Sequence, residues 1–228
     1  MKRVKLVVAY DGTNYCGWQG QKNGETIESV LNRAIGELPG EEIHVMGSSR
    51  TDAGVHACGN VAVFDTEARM AADKFSYALN QRLPEDIRIQ DSCEVPADFH
   101  PRFQKTVKTY EYRILNREFP LPAYRFNSHF TYRKLDVERM RQAAAYLIGE
   151  HDFQSFCAAG AQVKTTVRTI YALDVEKQGD LIIIRITGNG FLYNMVRIIA
   201  GTLMKIGQGD WEPECIPEIL AGCDRQLA

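Results

Sequence analysis

Apolar and polar residues recur with two different periods in the first half of the chain. Residues 3–10 alternate apolar and polar positions, the pattern of a strand with one buried face. Residues 26–38 repeat apolar positions every 3.6 residues, which predicts an amphipathic helix, and Thr26 is a plausible N-cap. The predicted elements of this half are strands at 3–10, 43–49, 60–65 and 87–95 and helices at 26–38 and 73–83.

The plan repeats in part after residues 96–103, a stretch rich in proline and phenylalanine that we interpret as the connection between two halves. The predicted elements here are strands at 107–115, 166–177 and 181–187 and helices at 136–148 and 191–206. We therefore expect one half over residues 1–102 and another over 103–228. The second half is predicted to lack the strand that closes the first.

The order β-α-β-β-α-β is typical of ferredoxin-like and RNA-recognition units, in which both helices cover one face of an antiparallel sheet. We predict an α+β fold in which two such halves join into one long, mostly antiparallel sheet. The helices are expected on one face and an active-site cleft on the other. The same order occurs in metal carriers, regulatory modules and enzymes, so it does not by itself indicate a function.

Composition is that of an ordinary globular protein, with 45% hydrophobic and 25% charged residues among 228. Its longest apolar runs are too short to span a bilayer, and the N-terminus lacks the pattern of a signal peptide, so we expect no membrane segment and a cytoplasmic protein. The six cysteines lack zinc-binding spacing, and we expect no metal. The net charge of −2 requires any affinity for RNA to come from a local basic patch.

Residues 47–57 form the most unusual cluster of the chain, because a carboxylate, a guanidinium, hydroxyls and two glycines follow a predicted strand. Such a loop can bring its backbone close to a substrate. The alternative is structural: Asp52 would begin an Asx-turn, and Arg50 would be a solvated surface charge. Spacing alone favours this alternative.

Residues 50–57, with the sequence RTDAGVHA, resemble the active-site motif of the tRNA pseudouridine synthase A family. Further segments resemble the family in the same order along nearly the whole chain. They lie at residues 10–13, 17–19, 79–87, 99–102, 108–112, 149–156 and 191–197. Members usually continue beyond the equivalent of residues 227–228 with a final apolar strand, in line with the strand predicted to be missing.

The resemblance implies that the chain isomerises uridine to pseudouridine in the anticodon arm of tRNA, at nucleotides 38 to 40, without a cofactor. It implies that Asp52 is the catalytic carboxylate, that Tyr110 stacks on the target uracil and that Arg197 is the partner of Asp52. Arg50 is then a substrate contact beside Asp52. A homodimer that binds tRNA across both subunits is also implied.

Elementary chemistry agrees with these roles. The reaction breaks the bond between C1′ and N1 and makes one to C5, so a nucleophile or base is needed. The sequence leaves open whether Asp52 attacks C1′, removes the C2′ proton or adds to C6. A guanidinium within about 4–6 Å keeps a carboxylate ionised, which suits Arg197. Without the resemblance, Arg197 is simply the polar edge of a buried helix.

Tyr110 lies in an alternating strand with Lys108 and Tyr112 on its own face. An aromatic residue on an open sheet face is a stacking platform for RNA bases, whereas most strand tyrosines are half-buried structural residues. We interpret Tyr110 as a platform and Tyr112 as structural. His151 and Asp152 are interpreted as a structural turn that lines the site.

Four basic residues are candidate RNA contacts: Lys22 in the first loop, Arg102 and Lys105 at the junction, and Lys108. Two other functions compete with the isomerase. A glycosidase would use Asp52 on the same bond, but it usually needs a second carboxylate, and none stands out near residues 50–56. An RNA-binding module without activity usually carries aromatic-rich central strands, and that motif is not found.

Overall fold

The computed structural model describes residues 1–228 except 23, 39, 105 and 162. Its backbone contacts divide the chain into two compact units, Met1–Gln104 and Lys105–Ala228. Within the described residues, none of the helices has the length and apolar character needed to cross a membrane.

The first unit contains a four-stranded antiparallel sheet in the order β2-β3-β1-β4. Its strands are β1 (Lys2–Tyr10), β2 (Met46–Gly47), β3 (Ala57–Thr66) and β4 (Ile87–Val95). Its helices are α1 (Ile27–Gly36) and α2 (Phe75–Asn80), and a 3-10 turn at Ala72–Lys74 precedes α2.

Alternating residues of β1 build the core of the first unit. Val4, Leu6 and Val8 are fully buried and belong to one apolar cluster with the inner residues of α1 and α2. Thr26 begins α1 as predicted: its side chain accepts a hydrogen bond from the Ser29 N–H, and the Ser29 hydroxyl oxygen accepts one from the Thr26 N–H. The sequence pattern therefore located β1, α1 and β4 correctly.

Two predicted elements of this unit differ from the structure. The strand expected at residues 43–49 is reduced to Met46–Gly47, and β3 begins at Ala57, three residues earlier than expected. The helix expected at 73–83 is a 3-10 turn followed by six residues of α-helix. Main-chain hydrogen bonds decide where these strands and helices begin and end, and the periodicity of apolar residues does not reveal those hydrogen bonds.

The second unit contains a five-stranded sheet in the order β6-β5-β9-β8-β7. Its strands are β5 (Lys108–Asn116), β6 (His129–Thr131), β7 (Gly149–Asp152), β8 (Val167–Gln178) and β9 (Leu181–Gly188). β5 and β6 are parallel, and the other neighbours are antiparallel. Its helices are α3 (Val137–Ala145), α4 (Met195–Gly207) and α5 (Cys215–Gly222).

Helices α3 and α4 pack on this sheet through a second apolar cluster that includes Ile184, Ile186, Met140 and Ile199. Among the strands and α-helices that the structure describes in this unit, β6, β7 and α5 were not predicted. β6 and β7 have only three and four residues, too few to show alternation, and α5 contains Pro217. Short elements of this kind are defined by their neighbours rather than by their own pattern.

The predicted α+β class is confirmed, with mostly antiparallel sheets. The described residues give one sheet to each unit, and the joining of the two into one long sheet stays a prediction. After α4, residues 208–228 contain α5 and a 3-10 turn at Arg225–Leu227 but no strand.

Candidate active site

Asp52 lies on the loop between β2 and β3, residues 48–56, which we call the Asp52 loop. Thr51 is buried, Asp52 is half-buried and Arg50 is exposed. The loop turns back on itself, because the Val55 N–H donates to the Asp52 carbonyl oxygen at 3.1 Å. A half-buried carboxylate on a folded loop is accessible to a substrate and still fixed in position.

The first loop of the chain, residues 11–25, packs its backbone against the Asp52 loop. The Trp18 N–H donates to the Thr51 carbonyl oxygen at 3.0 Å, and the Gly54 N–H donates to the Tyr15 carbonyl oxygen at 3.3 Å. Gly12 touches the main chain of Val55 so closely that no side chain fits there. These contacts hold both sides of Asp52 by main-chain groups.

Trp18 is the apolar anchor of this arrangement. Its side chain is fully buried, and a Cβ on Gly47 would stand 2.4 Å from the indole. Glycine at position 47 therefore leaves room for the Trp18 indole next to the beginning of the Asp52 loop. The indole Nε1 is buried, and among the described residues it has no hydrogen-bond acceptor.

His56, at the end of the Asp52 loop, lies beside Asp11. The distance from His56 Nδ1 to Asp11 Oδ1 is 3.0 Å, and the Gly12 N–H approaches the same nitrogen at 3.3 Å. The hydroxyl and the N–H of Thr13 also donate to Asp11. Hydrogen bonding from Thr13, more than the nearby His56, holds the pKa of Asp11 below its ordinary value. Asp11 therefore ties the two loops together in its ionised form.

Arg102, a predicted RNA contact, donates from Nε to the carbonyl oxygen of Gly47 at 2.9 Å. Burial and the nearby charge of Arg50 lower the pKa of Arg102. Arg102 thus stabilises the end of β2, a role that the sequence did not indicate. Lys22 is exposed in the first loop, whereas Lys105 lies outside the described residues.

Tyr110 does not lie on an open sheet face, and that expectation is wrong. It pairs across the sheet with Ile186, as Tyr112 pairs with Ile184, and both isoleucines belong to the core beneath the helices. Tyr110 is half-buried at the rim of this core, with its ring edge-to-face on Phe191 at 5.1 Å between centroids. A tyrosine in this position presents part of its ring to solvent, from a fixed orientation.

Arg197 lies in the first turn of α4 and is exposed, whereas Met195, Ile198 and Ile199 are buried, so Arg197 stands at the polar edge of a buried helix. The helix begins later than predicted, after Asn194 in the left-handed conformation (φ 57°). Tyr112 is close enough for the charge of Arg197 to act on it: burial raises the pKa of Tyr112, and Arg197 opposes that rise.

Asp52 and Arg50 belong to the first unit, and Lys108, Tyr110 and Arg197 belong to the second. The pairing of Asp52 with Arg197 and the stacking role of Tyr110 stay predictions. His151 and Asp152 lie in strand β7 rather than in a turn, and His151 Nε2 is 3.1 Å from the Ile148 carbonyl oxygen.

Arg168, on β8, was not among the residues that the sequence singled out. Its Nη1 donates to the carbonyl oxygens of Thr165 and Val167, and burial lowers its pKa. The sequence shows Arg168 only as a single arginine in a threonine-rich strand, and it does not show that the guanidinium is half-buried and donates to main-chain oxygens. Within the described part of the chain, no group of three or more His, Cys, Asp or Glu could hold a metal ion.

Comparison with known proteins places these residues in a family context. A family model described as tRNA pseudouridine synthase matches residues 6–104 and 143–228. The chain is 47% identical over 228 residues to tRNA pseudouridine synthase A of Acetivibrio thermocellus, covering 100% of this chain and 93% of that protein. It is 49% identical over 229 residues to tRNA pseudouridine synthase A of Ruminiclostridium cellulolyticum, covering 100% of this chain and 94% of that protein.

Proposed function

The chain belongs to the tRNA pseudouridine synthase family, and from this premise we propose that it isomerises uridine to pseudouridine in the anticodon arm of tRNA. The target nucleotides are 38 to 40. The similarity along the whole chain carries this proposal, because it includes the Asp52 loop, the strand of Tyr110 and the helix of Arg197 together.

Asp52 is the catalytic residue of the proposed reaction. The bond between C1′ and N1 breaks, the uracil turns, C5 bonds to C1′, the proton originally on C5 leaves, and N1 takes up a proton, so that no atom is gained or lost overall. An ionised carboxylate starts this sequence by attack on C1′, by removal of the C2′ proton or by addition to C6. The half-burial of Asp52 supports the proposal, since the loop fixes the carboxylate without closing it off.

Tyr110, Arg197 and Arg50 contact the substrate in this proposal. The edge-to-face contact with Phe191 holds the Tyr110 ring in one orientation, as a stacking partner for uracil requires. Arg197 supplies the positive charge that keeps Asp52 ionised when RNA excludes water. Arg50, exposed and two residues before Asp52, is available to the RNA around the target nucleotide.

We further propose that the enzyme works as a homodimer in the cytoplasm, with tRNA bound across both subunits. Lys22, Arg102, Lys105 and Lys108 are the proposed phosphate contacts. No metal ion and no cofactor takes part, since the rearrangement neither adds nor removes atoms or electrons overall. Light scattering of the purified protein, alone and with tRNA, measures the number of subunits in each state.

The direct experiment is to incubate the protein with unmodified tRNA transcripts and map pseudouridine along the anticodon arm. Modification confined to nucleotides 38 to 40 is expected, and transcripts with cytidine at those positions are the control. A glycosidase would instead release free uracil and leave an abasic site. An RNA-binding module would bind the transcript and modify nothing, so these outcomes separate the three functions.

A further inference from the structure

Three buried polar side chains from three different elements of the chain contact one another at the Asp52 loop. They are Tyr10 at the end of β1, Thr51 in the loop and Asn60 on β3, with exposed fractions of 5%, 9% and 6%. We call them the loop-anchor network. Most residues of this core are apolar, and a buried polar group is costly unless it is hydrogen-bonded.

The three side chains are partners of one another and of the loop backbone. The Tyr10 hydroxyl lies 2.7 Å from Thr51 Oγ1. Asn60 Nδ2 donates to the Tyr10 hydroxyl at 3.5 Å. Asn60 Nδ2 also donates to the Ser49 carbonyl oxygen at 3.1 Å. Either hydroxyl can donate to the other, so Tyr10 and Thr51 hold each other directly.

The carbonyl oxygen of the Asn60 side-chain amide also binds the loop. Asn60 Oδ1 accepts from the Ser48 hydroxyl at 3.0 Å and lies 3.3 Å from the Ser49 N–H. One amide thus holds Ser48 and Ser49, and one tyrosine holds Thr51. The network therefore fixes the loop on both sides of Arg50 and at the residue directly before Asp52.

We propose that Tyr10, Thr51 and Asn60 are positioning residues for the Asp52 carboxylate. The inference rests on the proposed function, in which Asp52 reacts with the target nucleotide. A catalytic group must be held within about 0.5 Å of its productive position. Main-chain contacts from Trp18 and Tyr15 of the first loop hold the Asp52 loop in place, and the network fixes Thr51, the residue directly before Asp52.

Substitution at Thr51 gives the sharpest test. Thr51→Val keeps the shape of the side chain but removes the hydroxyl, so the single-turnover rate is expected to fall about 10- to 100-fold. Thr51→Ser keeps the hydroxyl and should stay within about threefold of wild type. The dissociation constant for tRNA should change less than about twofold in both variants, because the side chains of the network are buried.

Thr66→Val is the matched control for loss of a buried threonine hydroxyl. Thr66 lies at the other end of β3, is 2% exposed, and its hydroxyl donates to Glu41 at 2.9 Å. Both valine variants should lower the melting temperature to a similar extent, but only Thr51→Val should slow the reaction. An equal loss of rate in the two would show a merely structural role and overturn the proposal.

A double-mutant cycle tests the link between Tyr10 and Thr51. The cycle stays informative even if one variant is less stable than wild type. Tyr10→Phe should slow single turnover to a similar degree, and the Tyr10→Phe/Thr51→Val double variant should be no slower than the slower single one. Multiplying effects, or wild-type rates in both single variants, would overturn the inference. Asp52→Asn separates the premises: an active Asp52→Asn refutes the proposed catalytic residue, whereas an inactive Asp52→Asn beside fully active network variants refutes only the positioning role.

Discussion

Gly17 lies against the main chain of Thr51, the residue before Asp52: a Cβ on Gly17 would stand 2.6 Å from the Thr51 carbonyl oxygen. Gly17 also has a φ of +88°, in the region that side chains disfavour. Only glycine meets both conditions. The first loop and the Asp52 loop therefore pack backbone against backbone. A small change in the first loop is expected to shift Asp52.

Gly17→Ala is expected to lower both stability and activity. The backbone strain alone costs about 1–2 kcal/mol, and the clash with Thr51 shifts the Asp52 loop. Gly40→Ala is the matched control, because Gly40 has a φ of +72° and a Cβ added there would meet nothing within 4 Å. Thermal unfolding should show a loss of stability in both variants. Single-turnover rates should fall only in Gly17→Ala. Equal catalytic rates would contradict this account of the contact.

Asp52→Asn is expected to abolish turnover while tRNA binding survives, because the change removes the reactive anion and keeps shape and polarity. Asp52→Glu should also fail, since the added methylene displaces the carboxylate by more than about 0.5 Å. Pseudouridine formation and tRNA affinity are measured on the same preparations. Residual activity within about tenfold of wild type in Asp52→Asn would rule out the assigned role.

The sequence predicted what depends on local order. Thr26 and the alternation of β1 follow from neighbouring residues, and both were located correctly. Helix α4 was also predicted, but it begins four residues later than expected. The face of Tyr110 was predicted wrongly, because it depends on pairing with Ile186. The contact between Tyr10 and Thr51 joins residues 41 positions apart, and no periodicity along the chain can indicate such a contact.

The ion pair between Arg3 and Asp65 predicts a loss of stability in acid. Arg3 Nε and Nη2 donate to the two Asp65 carboxylate oxygens at 2.8 and 2.7 Å, and this hydrogen bonding lowers the pKa of Asp65 below its ordinary value of 3.8. A lowered folded-state pKa means that the stabilisation is complete above the unfolded value and disappears as the pH falls through the folded one.

Asp65→Asn should therefore lower the free energy of unfolding by about 1 kcal/mol near neutral pH, with the difference from wild type shrinking below pH 3.8. Glu67→Gln is the control, because Glu67 pairs with the N-terminus at an exposed site. Denaturant unfolding across pH measures both. A difference that stays constant down to the lowest pH at which the protein folds would contradict the assignment.

Activity is expected to survive exhaustive chelation. The proposed isomerisation uses the carboxylate of Asp52 and transfers no electrons, so removal of metal ions should leave the rate unchanged on a tRNA whose fold is verified under the same conditions. Recovery of a lost activity by zinc or magnesium alone, with the tRNA intact throughout, would contradict the proposed chemistry.

The affinity for tRNA is expected to fall steeply with salt although the chain has a net charge of −2. Basic residues that neutralise phosphates release counterions, so log affinity falls linearly with log salt, by about 0.7–0.9 for each phosphate contact. Replacing Lys22, Arg102 and Lys105 together by alanine should weaken binding and flatten this slope. Because Arg102 also donates to Gly47, a Lys22→Ala/Lys105→Ala variant separates the loss of charge from damage to the end of β2.

The matched control for that double variant is Lys74→Ala/Lys177→Ala, which removes the same charge from positions outside the proposed RNA path. Lys74 is paired with Asp73 at 3.0 Å, and Lys177 lies near the end of β8. The control should keep the wild-type slope, whereas the Lys22/Lys105 variant should lose between about one and two units of it. If both variants keep the wild-type slope, the phosphates are bound elsewhere, and the proposed contacts of the first loop and the junction are wrong.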